Sequence, residues 1–299
     1  MSAPPSPWRL GELTVRQLLT RVWEAAWVDE ITDRAAALSY YFLFSIFPIL
    51  LFVTALAHLV PVHHLVRQLM ETVAVLLPAE AASLVRETLR QIVSRTGRPG
   101  LVSLGALTAI WAGSAGMASV MTMLNVVYHV RDDRPWWRRR ATAVLLTVAF
   151  AVFLIGSTLL LMLSTRIGAA VARVVAPQAG LEGLGNAVTL VLAFGAALLA
   201  FELIYYLAPA RARWHWLTPG SLTAAILWMA VSLGLRLYVT SVAHYDIMYG
   251  SIGGIILLLL WLYLTSLVLL LGAEMNAAIE DAAARAPVPA SAPGEIRAA

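Results

Sequence analysis

The chain has no cysteine, all 21 of its basic residues are arginine, and only 13% of its 299 residues are charged. The lack of cysteine excludes disulfides, thiolate metal sites and cysteine nucleophiles. A phosphate-binding loop of the GxxxxGK type is also absent, so any energy for transport would come from an ion gradient or from a partner. A charged fraction this low is atypical of soluble globular proteins.

Hydrophobic residues, by contrast, make up 60% of the chain, a composition typical of polytopic membrane proteins. The run 252–272 contains no charged residue. At about 1.5 Å per residue, a helix of that length spans roughly 31 Å, which matches the hydrocarbon core of a bilayer. We therefore interpret this run as a membrane-spanning helix around which the rest of the chain is organised.

The same reasoning predicts an all-α bundle of six transmembrane helices over 35–60, 101–128, 141–164, 185–208, 221–240 and 252–272. Residues 1–34 precede this membrane domain of 35–279 and contain an amphipathic helix, about 10–33, suited to the membrane interface. Short amphipathic helices are expected in the first outer loop, 61–100, and disorder from residue 280. Steps of four between Gly105, Ala109 and Gly113, and between Ala112 and Gly116, predict close helix packing.

Arginine and tryptophan indicate the orientation. The loop 131–140 reads RDDRPWWRRR, and the turn 209–217 also combines arginines with tryptophans. Clustered arginines beside apolar spans mark the cytoplasmic side. We therefore expect a protein of the bacterial inner membrane with both termini cytoplasmic and with lipids as partners. The net charge of +4 is explained in the same way and does not indicate nucleic acid.

Polar residues inside or beside the spans are candidates for a transport pathway, because burying such groups in lipid is costly. The candidates are Tyr40, Asn125, Glu202, Arg236, Asp246, Glu274 and Asn276. Each also fits a structural role. Glu202, inside the fourth span, would pair with Arg34 or with the hydroxyl of Tyr205 or Tyr206. Glu274 and Asn276 would simply mark the water boundary.

The other candidates have similar alternatives. Arg236 lies near a span end, where its side chain can reach the interface. Asn125 would bond another helix, Tyr40 would anchor at the interface, and Asp246 would accept backbone bonds at a turn. No catalytic residue, cofactor site or metal site is predicted.

Three segments together resemble the YihY family, also called the virulence factor BrkB family, of bacterial inner-membrane proteins. They are AAALSYYFLFSIFP at 35–48, VRDDRPWWRRR at 130–140, and YGSIGGIILLLLWLYLTSLVLLLGAEMNAA at 249–278. The resemblance implies a six-span membrane protein without an established biochemical activity. Members have been called ribonuclease BN, a name generally regarded as a misassignment, and others have been linked to serum resistance or to envelope lipid export.

Three functions follow as hypotheses. The first is transport or flipping of an amphipathic, lipid-like envelope molecule. The second is a scaffold for envelope machinery. The third is a metal-dependent ribonuclease, which would need clustered carboxylates. The inner face offers Asp29, Glu30, Asp33, Asp132, Asp133 and Glu274. Asp29 and Glu30 lie on an interfacial helix and Asp132 and Asp133 alternate with arginines, so salt pairing explains them better.

Overall fold

The computed structural model describes residues 7–59, 99–175, 182–210, 217–241 and 245–285, and most of these residues lie in helices. In chain order the elements are a short 3₁₀ helix at Pro7–Glu12 and α-helices α1 (Val15–Val28), α2 (Ile31–Leu59), α3 (Pro99–Val127), α4 (Trp136–Val175), α5 (Glu182–Leu207), α6 (Pro219–Ser241) and α7 (Tyr245–Arg285). The all-α helical bundle predicted from the sequence is confirmed.

Five of the described helices, α3 to α7, are long and apolar enough to cross a membrane. Helix α2 covers the first predicted span but is not one of these five, so a total of six spans stays a prediction. The short helices expected over 61–100 lie almost wholly outside the described residues. Leu145, Val152, Val191 and Leu237 are more than 60% exposed on the outer faces of α4, α5 and α6. Apolar side chains turned outward along long helices are what a lipid environment requires.

The N-terminal segment folds differently from the single helix that was predicted over 10–33. Helix α1 begins after Thr14, whose side chain caps it together with Gln17. It ends at Val28, because Glu30 has a φ of 51° and interrupts the helix before α2 begins at Ile31.

Helix α1 has two apolar faces. Leu18 is fully buried against the protein, whereas Trp23 and Trp27 are about two-thirds exposed. An amphipathic helix with tryptophans on its free face is suited to a membrane interface.

Helix α7 contacts the 3₁₀ helix, α1, α2, α3 and α6. It continues to Arg285, beyond the predicted start of disorder at residue 280, so that part of the prediction is wrong. The added turns are stabilised by packing, since Ile279 and Ala282 are buried and Gly11 of the 3₁₀ helix lies directly against them. Residues 286–299 lie outside the described residues.

The core lies between α2, α3 and α7, where Leu38, Met121, Leu124 and Leu270 are fully buried. Two of the predicted small-residue contacts are present: a Cβ on Gly116 would lie 3.3 Å from the hydroxyl of Ser45, and one on Gly113 would lie 3.0 Å from Thr147. This core is close to the end of the bundle that carries the 128–135 loop. We call that end the arginine-rich end.

Candidate functional site

The N-terminus of α6, at the arginine-rich end, is formed by the sequence Thr-Pro-Gly-Ser at 218–221. Thr218 is the capping residue, because its hydroxyl oxygen accepts a hydrogen bond from the backbone N–H of Ser221 at 3.2 Å. Pro219 occupies the first helical position, where its fixed φ and missing N–H carry no penalty. This local chemistry explains why α6 begins where it does.

Glu202 of α5 points at this helix end. Its carboxylate accepts hydrogen bonds from the backbone N–H of Thr218 at 3.2 Å and from the Thr218 hydroxyl at 2.9 Å. The side chain is only 5% exposed. The positive end of the α6 dipole and two donors therefore stabilise this buried carboxylate.

The partners suggested for Glu202 by the sequence were partly wrong. Arg34 donates instead to the backbone carbonyl of Asp29 and to the sulfur of Met123. The Tyr205 hydroxyl donates to the carbonyl of Leu269 at 2.8 Å.

Asn276 of α7 also binds the N-terminus of α6. Its Oδ1 accepts from the backbone N–H of Gly220 at 2.8 Å, and its Nδ2 donates to the Thr218 hydroxyl at 3.0 Å. Asn276 is 4% exposed, so it does not mark the water boundary. Glu202, Thr218, Gly220, Ser221 and Asn276 together form what we call the α6 cap cluster, which joins α5, α6 and α7.

Asn125 of α3 connects two loops of the arginine-rich end. Its Oδ1 accepts from the backbone N–H of Ala210 at 2.7 Å, and its Nδ2 lies 3.4 Å from the carboxylate of Asp132. Asp132 also accepts from Arg134 at 2.8 Å, and this guanidinium lowers the pKa of the Asp132 carboxyl below its ordinary value. Asn125 therefore bonds across elements, but both partners lie in loops and not on another helix as had been expected.

A pocket of about 490 Å³ opens beside Asn125. We call it the basic pocket, and it is lined by Thr122, Asn125, Val126, His129, Val130, Arg131, Asp132 and Arg139. Arg139 donates to the Thr122 hydroxyl. Arg131 is almost fully exposed, with Asp133 at 3.7 Å. The salt pairing predicted for Asp132 and Asp133 is confirmed.

A second cavity, of about 130 Å³, lies between α3, α4 and α5. We call it the apolar groove, and its lining is entirely hydrophobic: Met117, Leu146, Ala149, Phe150, Leu203, Ile204, Leu207 and Ala208. A cavity near 150 Å³ holds one benzene-sized group. The groove therefore has room for a section of an acyl chain.

Glu274 of α7 lies against Asp29, which follows the end of α1. The two carboxyl groups are within hydrogen-bonding range of one another, and the side chains are 1% and 8% exposed. We call them the carboxyl pair. The salt pairing suggested for Asp29 is wrong, because Arg34 reaches only its backbone carbonyl. Glu274 does not mark the water boundary either.

The remaining candidates do not join these groups. Tyr40 is 55% exposed and packs its ring on Phe44 at 4.5 Å between centroids. Arg236 is exposed on α6. The side chain of Asp246 lies outside the described residues.

Sequence reasoning missed Thr218 and Gly220 as site residues, although the Thr-Pro-Gly-Ser signature of a helix start was there to find. It also missed the contact between Asp29 and Glu274, for which the sequence holds no signal. Within the described ranges, no three His, Asp or Glu side chains come together as metal ligands.

The sequence model of the virulence factor BrkB family matches residues 22–295 of this chain. The chain belongs to the virulence factor BrkB family. This confirms the resemblance carried by the three segments. Relatives of this chain include the putative ribonuclease-like protein YfkH of Bacillus subtilis, which is 34% identical over 84% of this chain and 90% of its own length.

Two further relatives are described as UPF0761 membrane proteins. The protein of Pseudoalteromonas translucida is 27% identical over 84% of this chain and 82% of its own length. The protein of Aeromonas salmonicida is 28% identical over 87% of this chain and 88% of its own length. No solved structure matches the chain. With its five long apolar helices, this BrkB-family chain is a multi-pass membrane protein.

Proposed function

We propose that this BrkB-family protein moves an amphipathic, lipid-like envelope molecule with an anionic polar end across the bacterial inner membrane. The observation that supports this best is that the basic pocket and the apolar groove follow one another along the same helix pair, α3 and α4. Such an arrangement matches a ligand with a charged end and a hydrocarbon end.

The spacing of the lining residues supports this reading. On α4, Arg139 lines the basic pocket and Leu146 lines the apolar groove. They are separated by two helical turns, or roughly 10 Å along the axis. On α3, Thr122 and Met117 line the same two cavities in the same order. The distance fits one molecule whose headgroup and upper acyl chain occupy both.

The charge of the basic pocket favours an anionic headgroup. Arg131 and Arg139 line it, whereas its one carboxylate, Asp132, is engaged by Arg134. Guanidinium groups bind phosphate oxygens through paired hydrogen bonds. We therefore infer that a phosphate-bearing headgroup binds here, while the small groove holds part of one chain and the bilayer holds the rest.

The same arginines support the proposed orientation. In the inner membrane, the arginine-rich end faces the cytoplasm by the positive-inside rule. Helix α1 and the far end of α7 contact each other, which places both chain ends on that side in our proposal. The ligand would then enter from the inner leaflet.

Reconstitution in liposomes tests the function. Transbilayer movement of fluorescent phosphatidylglycerol and fluorescent phosphatidylcholine is measured with a quencher that cannot cross the membrane. We expect the protein to move phosphatidylglycerol faster than empty liposomes do. Ala149→Trp, which fills the groove, should reduce the rate at least tenfold, whereas Val148→Trp on the neighbouring outward position should not.

The headgroup is tested in the same assay. Arg139→Gln should slow phosphatidylglycerol more than phosphatidylcholine, whereas Arg138→Gln serves as control, because Arg138 lies over Trp137 outside the pocket. A folded protein that moves neither lipid faster than empty liposomes would contradict the proposal. If it then co-purified a stoichiometric envelope partner, or cleaved RNA, the scaffold or ribonuclease hypothesis would replace it.

A further inference from the structure

The carboxyl pair of Asp29 and Glu274 is not explained by the headgroup pocket or by the α6 cap cluster. Asp29 follows the last turn of α1, where its backbone N–H bonds back to Ala25. Glu274 lies on α7 in the GAEMN segment. Helices α1 and α7 pack together there, and both acidic side chains are more than nine-tenths buried.

Each carboxyl group of the pair has an oxygen without a partner. Within the described part of the chain, Oδ2 of Asp29 and Oε1 of Glu274 are buried and receive no hydrogen bond. Buried polar atoms are almost always satisfied, so two orphaned oxygens on adjacent carboxyl groups indicate that a small ligand belongs there.

Among the described residues, no salt bridge to either carboxylate of the pair is found. Arg34 of α2 donates to the backbone of Asp29 and to Met123 rather than to either carboxylate. Glu274 shares its surroundings near Tyr128, which follows α3, with Glu202 of α5 and Glu280 of α7, and neither of these side chains can carry positive charge. A second ionised carboxylate would therefore be strongly disfavoured.

The two carboxyl groups provide too few oxygen ligands for a metal ion but enough for a proton. Calcium needs six or more oxygen ligands and magnesium needs a near-ideal octahedron. Among the described residues, no third carboxylate or histidine joins the pair as a metal ligand. One proton needs only two facing oxygens, and two adjacent carboxyl groups share one readily.

We propose that Asp29 and Glu274 form a proton-binding site that holds one shared proton and joins α1 to α7. Loss of that proton leaves two adjacent buried charges, which repel each other and loosen the contact between the helices. Binding of the proton is a property of the pair itself. Its use as the coupling ion for transport rests on the proposed function.

Infrared spectroscopy of the full-length protein in liposomes tests the site directly, because a protonated carboxyl group has a carbonyl band separate from that of a carboxylate. An ordinary exposed carboxyl group is ionised at neutral pH. We expect the protein to retain a protonated-carboxyl band at neutral pH and to lose it at high pH. Asp29→Asn and Glu274→Gln should each abolish the band, since an amide can donate to the remaining carboxylate.

Matched controls assign the band. Glu280→Gln, on the same helix but exposed, should leave it unchanged, and so should Glu202→Gln in the cap cluster. Absence of the band in the wild-type protein at neutral pH would overturn the proposal. Its survival in both Asp29→Asn and Glu274→Gln would do the same. A titration midpoint that moves when sodium replaces potassium would show a sodium site and would also overturn it.

Lipid movement is followed in the same liposomes, so that the two proposals fail separately. If the carboxyl band behaves as expected but no lipid moves, the proton site is supported and only its role in transport is contradicted. Lipid movement without the band supports transport and contradicts the proton site.

Discussion

Gly220 and Gly272 lie where α6 and α7 cross, and replacing either by alanine is the sharpest test of how the bundle is held together. A Cβ on Gly220 would lie 2.5 Å from Cγ and Oδ1 of Asn276 and would also strike the carbonyl oxygen of Gly272. A Cβ on Gly272 would lie 2.7 Å from the carbonyl oxygen of Gly220. The two carbonyl oxygens are backbone atoms, and the Asn276 side chain is held in place by its hydrogen bonds to Gly220 and Thr218, so these neighbours cannot simply move aside.

The expected cost follows from these distances. Ordinary contact with a Cβ begins near 3.4 Å, so the two helices would have to separate by a substantial fraction of an ångström or more. Overpacking of this kind costs about 1–3 kcal/mol, and loss of the buried bond from the Gly220 N–H to Asn276 adds about 1–3 kcal/mol. We expect Gly220→Ala to lower the free energy of unfolding by about 2–6 kcal/mol and Gly272→Ala by about 1–3 kcal/mol, each a large share of typical protein stability.

Gly195 and Gly234 supply the matched control, because a Cβ at either position would meet nothing within 4 Å. Alanine there should leave stability unchanged or raise it by up to about 1 kcal/mol through its better helix propensity. The assay is detergent-induced unfolding of the purified protein, followed by tryptophan fluorescence. If Gly220→Ala proved as stable as Gly195→Ala, the close crossing of α6 and α7 would be refuted.

Three further predictions concern the arginine-rich end. Thr218→Ala should destabilise the protein by about 1–3 kcal/mol in the same assay, because it removes the cap of α6 and a donor to buried Glu202. Thr218→Ser should keep most of the stability. Equal loss of stability in both variants would contradict the capping role of Thr218. Because Arg134 lowers the pKa of Asp132 below 3.8, their pairing stabilises the fold above that pH and is lost as the pH falls through the lowered pKa. Unfolding measured against pH should therefore lose less stability on acidification in Asp132→Asn than in the wild type, and equal slopes would refute the pairing. Gly11→Ala should release the 3₁₀ helix from α7, since Gly11 has a φ of +60° and no room for a Cβ. Proteolysis of the N-terminal segment should then be faster than in the wild type. An unchanged rate of proteolysis would argue against the contact between Gly11 and α7.

The membrane helices could be predicted from the sequence because the lipid interior imposes a simple rule on length and charge. Helix α5 at Glu182–Leu207 and α6 at Pro219–Ser241 agree closely with the predicted spans 185–208 and 221–240. Helix α4 runs to Val175, well past the predicted end at 164, because a helix can continue beyond the apolar stretch that marks it. The extension of α7 depends on packing against the 3₁₀ helix, a contact that no local pattern reveals.

The polar residues themselves could also be predicted, but their partners could not. Glu202 and Asn276 stand out because polar groups are costly in an apolar span. Their partners lie 16 and 56 residues away, at Thr218 and Gly220, and only the folded chain brings them together. The misinterpretation of Asp29 has a similar cause, since the break after α1 turns it toward α7 rather than toward the arginines nearby in sequence.

We propose that the apolar groove between α3, α4 and α5 receives part of a lipid-like ligand, and photo-crosslinking shows whether it does. Phosphatidylglycerol with a diazirine in one acyl chain is irradiated with the protein in liposomes, and the labelled residues are located by mass spectrometry. We expect labelling enriched at Met117 and Phe150 over the outward-facing Leu233 and Leu237, and loss of that enrichment in Ala149→Trp. Equal labelling of all four residues, unchanged by Ala149→Trp, would contradict it.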